Sequence, residues 1–226
     1  PNYDGVHGSA EVVSYIVLEA GDWQLNDGTM LEVGKVTTSA VVGKLITDQW
    51  ETISLTAGFT SAPAVFTQVQ SNNDTSFVQT RQRSTSATSF QTAMEEEESS
   101  SAAHGSETIG WLAIEPASGS WSSHSYRSGV TADSVTHSWY TVDFSPAFGA
   151  APRFLAALYT TDGGDSSHLR YQSLGASSAQ VKVEEDTTYD SEMNHTSEKV
   201  AWLAIEGDGT LEATAMPDAY ARMRHS

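Results

Sequence analysis

The sequence contains no cysteine, which removes disulfides, thiolate metal sites and cysteine nucleophiles together and leaves the redox compartment unreadable from thiols. Basic residues are scarce: 11 Lys and Arg stand against 29 Asp and Glu, for a formal charge of −18. Such a surface repels phosphate backbones and anionic lipid, so nucleic acid is not an expected partner, whereas cations, glycans and further copies of the chain are. No apolar run approaches the roughly 18 residues of a bilayer-spanning segment, so membrane insertion is not expected. No basic-then-apolar leader opens the chain, as in a soluble, already processed or excised protein. Catalytic signatures are missing too: no Gly-x-Ser-x-Gly elbow, His-Glu-x-x-His, Gly-x-Gly-x-x-Gly or phosphate loop occurs. The expectation is a protein without catalysis, and its scarce lysine with abundant serine and threonine suits an extracellular, cell-surface or salt-adapted setting.

What the sequence does contain is one stretch written three times. His104-Gly-Ser-Glu107-Thr-Ile-Gly-Trp111-Leu-Ala-Ile-Glu115 recurs as His195-Thr-Ser-Glu198-Lys-Val-Ala-Trp202-Leu-Ala-Ile-Glu206. A third copy runs from His7 to Glu19, with Tyr15 in the tryptophan slot and one extra residue after Ser9. Further anchors repeat at one constant offset: Trp139 to Phe144 matches Trp50 to Leu55, Phe148 matches Phe59, and Pro152 matches Pro63. Recurrence in one order means a structural unit used more than once.

The period of these segments is two, the alternation of β-strands, and no helical period occurs. Strands are expected over Glu11 to Glu19, Met30 to Thr37, Trp50 to Leu55, Phe59 to Val69, Phe77 to Arg83 and Ser89 to Glu96, with Asn26-Asp27-Gly28 as a turn. In the repeated stretch Leu112 with Ile114, and Leu203 with Ile205, are expected in the core. The face carrying Glu107, Trp111 and Glu115, or Glu198, Trp202 and Glu206, is then half-buried and available for contact. The ends carry another clue, because the copy at His7 to Glu19 closes a unit whose earlier strands are absent, while Asp208-Gly209-Thr210-Leu211-Glu212 resembles the opening Asp27 to Glu32. An unpaired strand leaves backbone groups and an apolar face unsatisfied. The terminal strands therefore complete each other, complete neighbouring molecules, or belong to a longer array.

Gly34-Lys35-Val36, Phe59 with Pro63-Ala64-Val65, Val78 to Arg81, Phe90 and Gly110 to Glu115 together resemble an H-type lectin domain, closest to the tandem lectin-like repeats of large secreted bacterial proteins. The resemblance implies an all-β chain of two tandem six-stranded antiparallel β-sandwich units with extra terminal strands. Residues 1–22 would be the closing strand of a preceding or swapped unit, 23–118 and 119–207 the two sandwiches, and 208–226 an opening strand of a next unit with a C-terminal tail. It also implies carbohydrate binding or adhesion. At the family's sugar-contacting arginine this sequence has Phe77 and His168, and at its aromatic contact Glu97 and Thr188. The alternative to glycan binding is a structural subunit of an extracellular filament or surface assembly, joined by exchange of the terminal strands.

Tyr15, Trp111, Trp202, His104, His195, Glu107 and Glu198 are the candidate ligand or interface residues. The tryptophans either stack on a sugar ring or pack, and the histidines either join a carboxylate in holding a metal or hydrogen-bond a neighbouring loop. Glu95-Glu96-Glu97-Glu98 ends a strand in like charges, a set that either blunts an edge in solvent or holds calcium. Glu95 and Glu97, with Glu184 and Asp186 in the second unit, are the candidate metal ligands. Asn73-Asp74-Thr75 and Asn194-His195-Thr196 fit the N-glycosylation pattern.

Overall fold

The computed structural model describes residues 10 and 12–216. Among the described residues sixteen strands follow one another: β1 Gly21–Gln24, β2 Met30–Thr38, β3 Val41–Val42, β4 Glu51–Ser54, β5 Ala64–Val69, β6 Val78–Arg83, β7 Ser89–Glu96, β8 Glu107–Ile114, β9 Ala117–Trp121, β10 His124–Val130, β11 Tyr140–Asp143, β12 Arg153–Leu158, β13 Ser167–Gln172, β14 Ser178–Glu185, β15 Val200–Ile205 and β16 Thr214–Ala215. Alternation explains them, most plainly in β14, where Ala179, Val181, Val183 and Glu185 are buried and the residues between them are only half-buried. At Asp27-Gly28 the chain reverses between β1 and β2. Gly28 takes a φ of 91° there, which glycine adopts without steric cost, and the Thr29 N–H donates to Asp27 Oδ1 at 3.0 Å.

The strands form four small sheets, in the orders β16-β1-β2-β8-β5, β3-β7-β4 with β6 also on β7, β12-β15-β10-β9, and β11-β14-β13. We number these sheets I to IV. Trp111 of sheet I meets Phe90 of sheet II with ring centroids 5.6 Å apart, and Trp202 of sheet III meets Phe144, which follows β11 of sheet IV, at 5.7 Å. Sheets I and III share a core, and Arg81 of sheet II hydrogen-bonds Ser167 of sheet IV. The contacts close a cycle, I to II to IV to III to I.

The expectation of two six-stranded sandwiches is therefore corrected: the chain folds as four small sheets set like the blades of a four-bladed propeller. The physical reason lies in both faces of β15. Val200 and Ala204, with Trp202 against them, join Phe144, Phe154 and Val181 in one core cluster. Ala201, Leu203 and Ile205 on the opposite face join Leu25, Phe66, Leu112 and Ile114 from the first half in another. Burial on both faces welds the halves through roughly 1.5–3 kcal/mol per large aliphatic side chain. Tyr159 adds a hydrogen bond to the Pro63 carbonyl at 3.0 Å, and Tyr126 donates to Thr29 Oγ1 at 2.6 Å.

On the tryptophan-bearing face of the repeated stretch Glu107, Ile109 and Ala113 are each no more than 1% exposed, whereas Trp111, Glu115, Trp202 and Glu206 are half-buried. The half-buried face expected there holds at the tryptophans and outer glutamates, while the neighbouring sheet covers the rest. At the N-terminus His7 and Glu11 lie outside the described residues, as does the tail from Pro217 to Ser226. Residues 12–19 form no strand, although their side chains alternate: Ser14, Ile16 and Leu18 are half-buried while Val13, Tyr15 and Val17 are exposed. Ile16 and Leu18 pack on the core shared by sheets I and III. Asp208 to Glu212 forms no strand either. The strand beyond it, β16, pairs with β1 of the same chain, Trp23 opposite Ala215.

Candidate functional site

Each His-x-x-Glu copy delivers its histidine from a loop and its glutamate at or just before a strand, so that the pair meets a carboxylate from the end of a neighbouring strand. In the first, His104 Nδ1 lies 3.2 Å from Glu96 Oε1 and Nε2 lies 3.7 Å from Glu107 Oε1. Glu107 accepts the backbone N–H groups of Asn73 at 2.6 Å and Asp74 at 2.9 Å and the hydroxyl of Ser71. The Ser71 hydroxyl, countered by desolvation and helped by those N–H groups, holds this carboxyl below its ordinary range.

The second copy repeats the construction more tightly. His195 Nδ1 is 2.7 Å from Glu185 Oε1 and Nε2 is 3.1 Å from Glu198 Oε1. Glu198 accepts the N–H groups of Asp162 at 2.9 Å and Gly163 at 3.1 Å and the hydroxyl of Thr160. Burial alone would raise its pKa, but His195, Thr160 and Arg81 outweigh it and bring Glu198 down to about 2. His195 shows the mirror balance: desolvation lowers it, and the hydrogen bonds to Glu198 and Glu185 more than reverse that, so its pKa is raised. An imidazole between two carboxylates in this way is held as imidazolium.

Arg81 extends the second network across the halves. Fully buried, it donates from Nη1 to Ser167 Oγ at 2.6 Å and from Nη2 to Glu198 Oε1 at 3.2 Å, with Glu95 Oε2 3.4 Å from Nη1. Glu95 also accepts from Ser167 N at 3.0 Å and Gln79 Nε2 at 2.9 Å, and burial, ahead of the attraction of Arg81, keeps its pKa raised. The run Glu95 to Glu98 is thus no solvated strand end, because Glu95, Glu96 and Glu98 are each at most 4% exposed.

Beside this network lies an acidic junction. Lys44 Nζ is 2.8 Å from Asp165 Oδ1, 2.9 Å from Asp190 Oδ2 and 3.7 Å from Glu98 Oε1. These partners raise its pKa. Glu98 is pushed up to about 7 by desolvation, which Lys44 relieves and Asp165, Asp190 and Asp186 reinforce.

The structure gathers His104 with Glu107, and His195 with Glu198, but not the four candidate metal ligands. Glu95 faces Arg81. Glu184 pairs with Lys182 at 3.0 Å and Arg170 at 3.6 Å, Asp186 accepts the N–H groups of Glu98 and Thr188, and Glu97 is half-buried. Carboxylate oxygens of Asp165, Glu185 and Glu192 converge instead. The tryptophans cover glycines directly across the ladder: Trp111 lies over Gly34 and Trp202 over Gly129. Tyr15 stands 80% exposed. A cleft of about 770 Å³ among sheets I, III and IV, flanked by residues 12–20, is lined by Lys35, Gln68, Gln70, Arg170 and Tyr171 among others.

Sequence reasoning missed Arg81, Lys44 and Asp165. The repeat offset pairs Arg81 with Arg170, and an equivalent arginine in both halves beside an equivalent glutamate was the available signal. Lys44 is a rare cation in an acid-rich chain.

The chain is similar to halomucin. It is 32% identical over 195 residues to Halomucin of Haloquadratum walsbyi, a match covering 85% of this chain and 2% of the relative. The chain thus spans about 2% of the length of the curated relative it matches. No family model matches, and no solved structure does. No helix among the described residues is long and apolar enough to cross a membrane.

Proposed function

We propose that the chain is a non-catalytic module of a secreted or cell-surface protein, a rigid acidic repeat segment whose terminal segments join it to neighbouring copies or modules. The observation that carries this reading is the repeated motif itself. In both copies the imidazole meets two carboxylates and the motif's own glutamate accepts loop N–H groups, so that glutamate, the group the sequence repeats, serves architecture. The similarity to a far longer protein supports a module within a larger assembly. Residues 12–18 supply the joint: extended, half-packed and free of strand pairing, they present Val13, Tyr15 and Val17 outward. An opening strand of another copy would satisfy their backbone groups.

Light scattering with electron microscopy of the full chain, and of the chain lacking residues 1–20, tests this. End-to-end oligomers from the full chain and monomers from the truncated one are expected. Monodisperse monomers from both would overturn the strand-joining reading.

A second reading, glycan adhesion resembling that of H-type lectins, is favoured by the cleft, whose amide, cationic and tyrosine groups suit sugar hydroxyls and ring faces. A glycan array on which Lys35→Ala and Gln68→Ala bind as wild type, or nothing binds, would remove it.

A further inference from the structure

We propose that Asp165, Glu185 and Glu192 hold a divalent cation of the calcium type at the acidic junction between the halves. One carboxylate oxygen from each residue lies within 4.8 Å of the others. Calcium binds oxygens at about 2.3–2.6 Å, so oxygens on opposite sides of one ion stand about 4.6–5.2 Å apart, and the three groups lie within reach of a single ion. A magnesium ion demands strict octahedral geometry and dehydrates reluctantly, so it keeps several waters, and a set of three side-chain carboxylates suits calcium better.

An observation independent of the clustering points to a missing ligand. Glu185 is 6% exposed and gives Oε1 to His195, yet its Oε2 is buried with no hydrogen-bond partner. A buried carboxylate oxygen without a partner is costly. Glu98, 1% exposed at the other edge of the junction, has an orphan Oε2 as well. Lys44 is already engaged by Asp165 and Asp190, and no ion pair to it from Glu185 or Glu192 occurs among the described residues. Glu185 is thus the buried anchor, Asp165 the half-buried ligand and Glu192 the exposed one. Water would complete the six to eight oxygens calcium prefers. The His195 hydrogen bond fixes the orientation of the Glu185 carboxylate, as groups hydrogen-bonded behind a ligand do in known metal sites.

Isothermal titration of calcium chloride into the chelator-treated full chain tests the site, at fixed ionic strength so that general screening of the acidic surface is constant. Glu192→Gln and Asp165→Asn disable the site, Glu212→Gln is a charge-matched control on an exposed residue elsewhere, and circular dichroism verifies folding of each. Saturable one-ion binding is expected in the wild type and in Glu212→Gln, weakened at least about tenfold in the two site variants. No saturable binding, binding equal in all four proteins, or magnesium binding as tightly as calcium would each overturn the proposal.

Discussion

Three of the buried carboxylates among the described residues accept loop N–H groups. Glu32 takes those of Thr56 at 2.7 Å and Ala57 at 2.9 Å, and Glu107 and Glu198 take theirs in the repeated motif. Glu198 also neutralises Arg81 and His195, so Glu198→Gln leaves two cations underpaired in the interior. The expected loss is about 3–5 kcal/mol, read as a lowered midpoint in urea. The pH dependence follows from the shifts. Glu198, near 2 in the fold against 4.5 unperturbed, contributes on the order of 3 kcal/mol that is fully present above pH 4.5 and lost as pH falls toward 2. His195 is raised above 6.5, so its contribution is present below 6.5 and lost as pH rises through its folded value. Glu98, raised from 4.5 to about 7, binds its proton more tightly in the fold and removes stability as pH climbs between those values. Urea midpoints measured from pH 3 to 9 should peak between about 4.5 and 6.5, and a maximum above pH 8 would contradict these assignments. Two glycines give a second test. A Cβ at Gly34 would stand 2.3 Å from the Trp111 ring, and one at Gly129 would stand 3.0 Å from Trp202. Gly34→Ala should cost about 1–3 kcal/mol by displacing the indole, and Gly129→Ala less. Thermal melts with near-ultraviolet dichroism would order the two.

Among the elements, strand positions were largely legible because they rest on local alternation: β2, β6 and β7 begin and end within a residue of expectation. Partners across the chain were not. Arg81 reaches Glu198 over 117 positions and Lys44 reaches Asp190 over 146, and nothing local in a strand or loop reports such distances. The same blindness explains the deep burial of Glu107 and Ala113 on a face expected to be half-buried, because Phe90 and the Ser71 to Asp74 loop come from distant positions. The His-x-x-Glu recurrence was legible as a candidate site, but whether it serves a ligand or a loop depends on those distant partners. Residues 12–18 show the opposite case, with an alternating pattern that forms no ladder because no strand lies beside it. There Ile16→Ser and Leu18→Ser should each destabilise by about 1–3 kcal/mol, while Val13→Ser and Val17→Ser should stay within about 0.5 kcal/mol. Denaturant melts of the four variants would show that alternation or its absence.

At the scale of the whole molecule, a charge of −18 on 226 residues makes self-repulsion a standing cost that salt screens. The melting temperature should rise between about 0.1 and 1 M sodium chloride. That behaviour accords with an acidic module of a secreted or surface protein. The repeat suggested two bodies, whereas the shared core of sheets I and III, the hydrogen bonds of Tyr126 and Tyr159, and the Arg81 bridge make the halves one. Differential scanning calorimetry of the intact chain tests this most directly. The account predicts a single transition whose calorimetric and van't Hoff enthalpies agree, and two resolved transitions, each carrying about half the enthalpy, would contradict it.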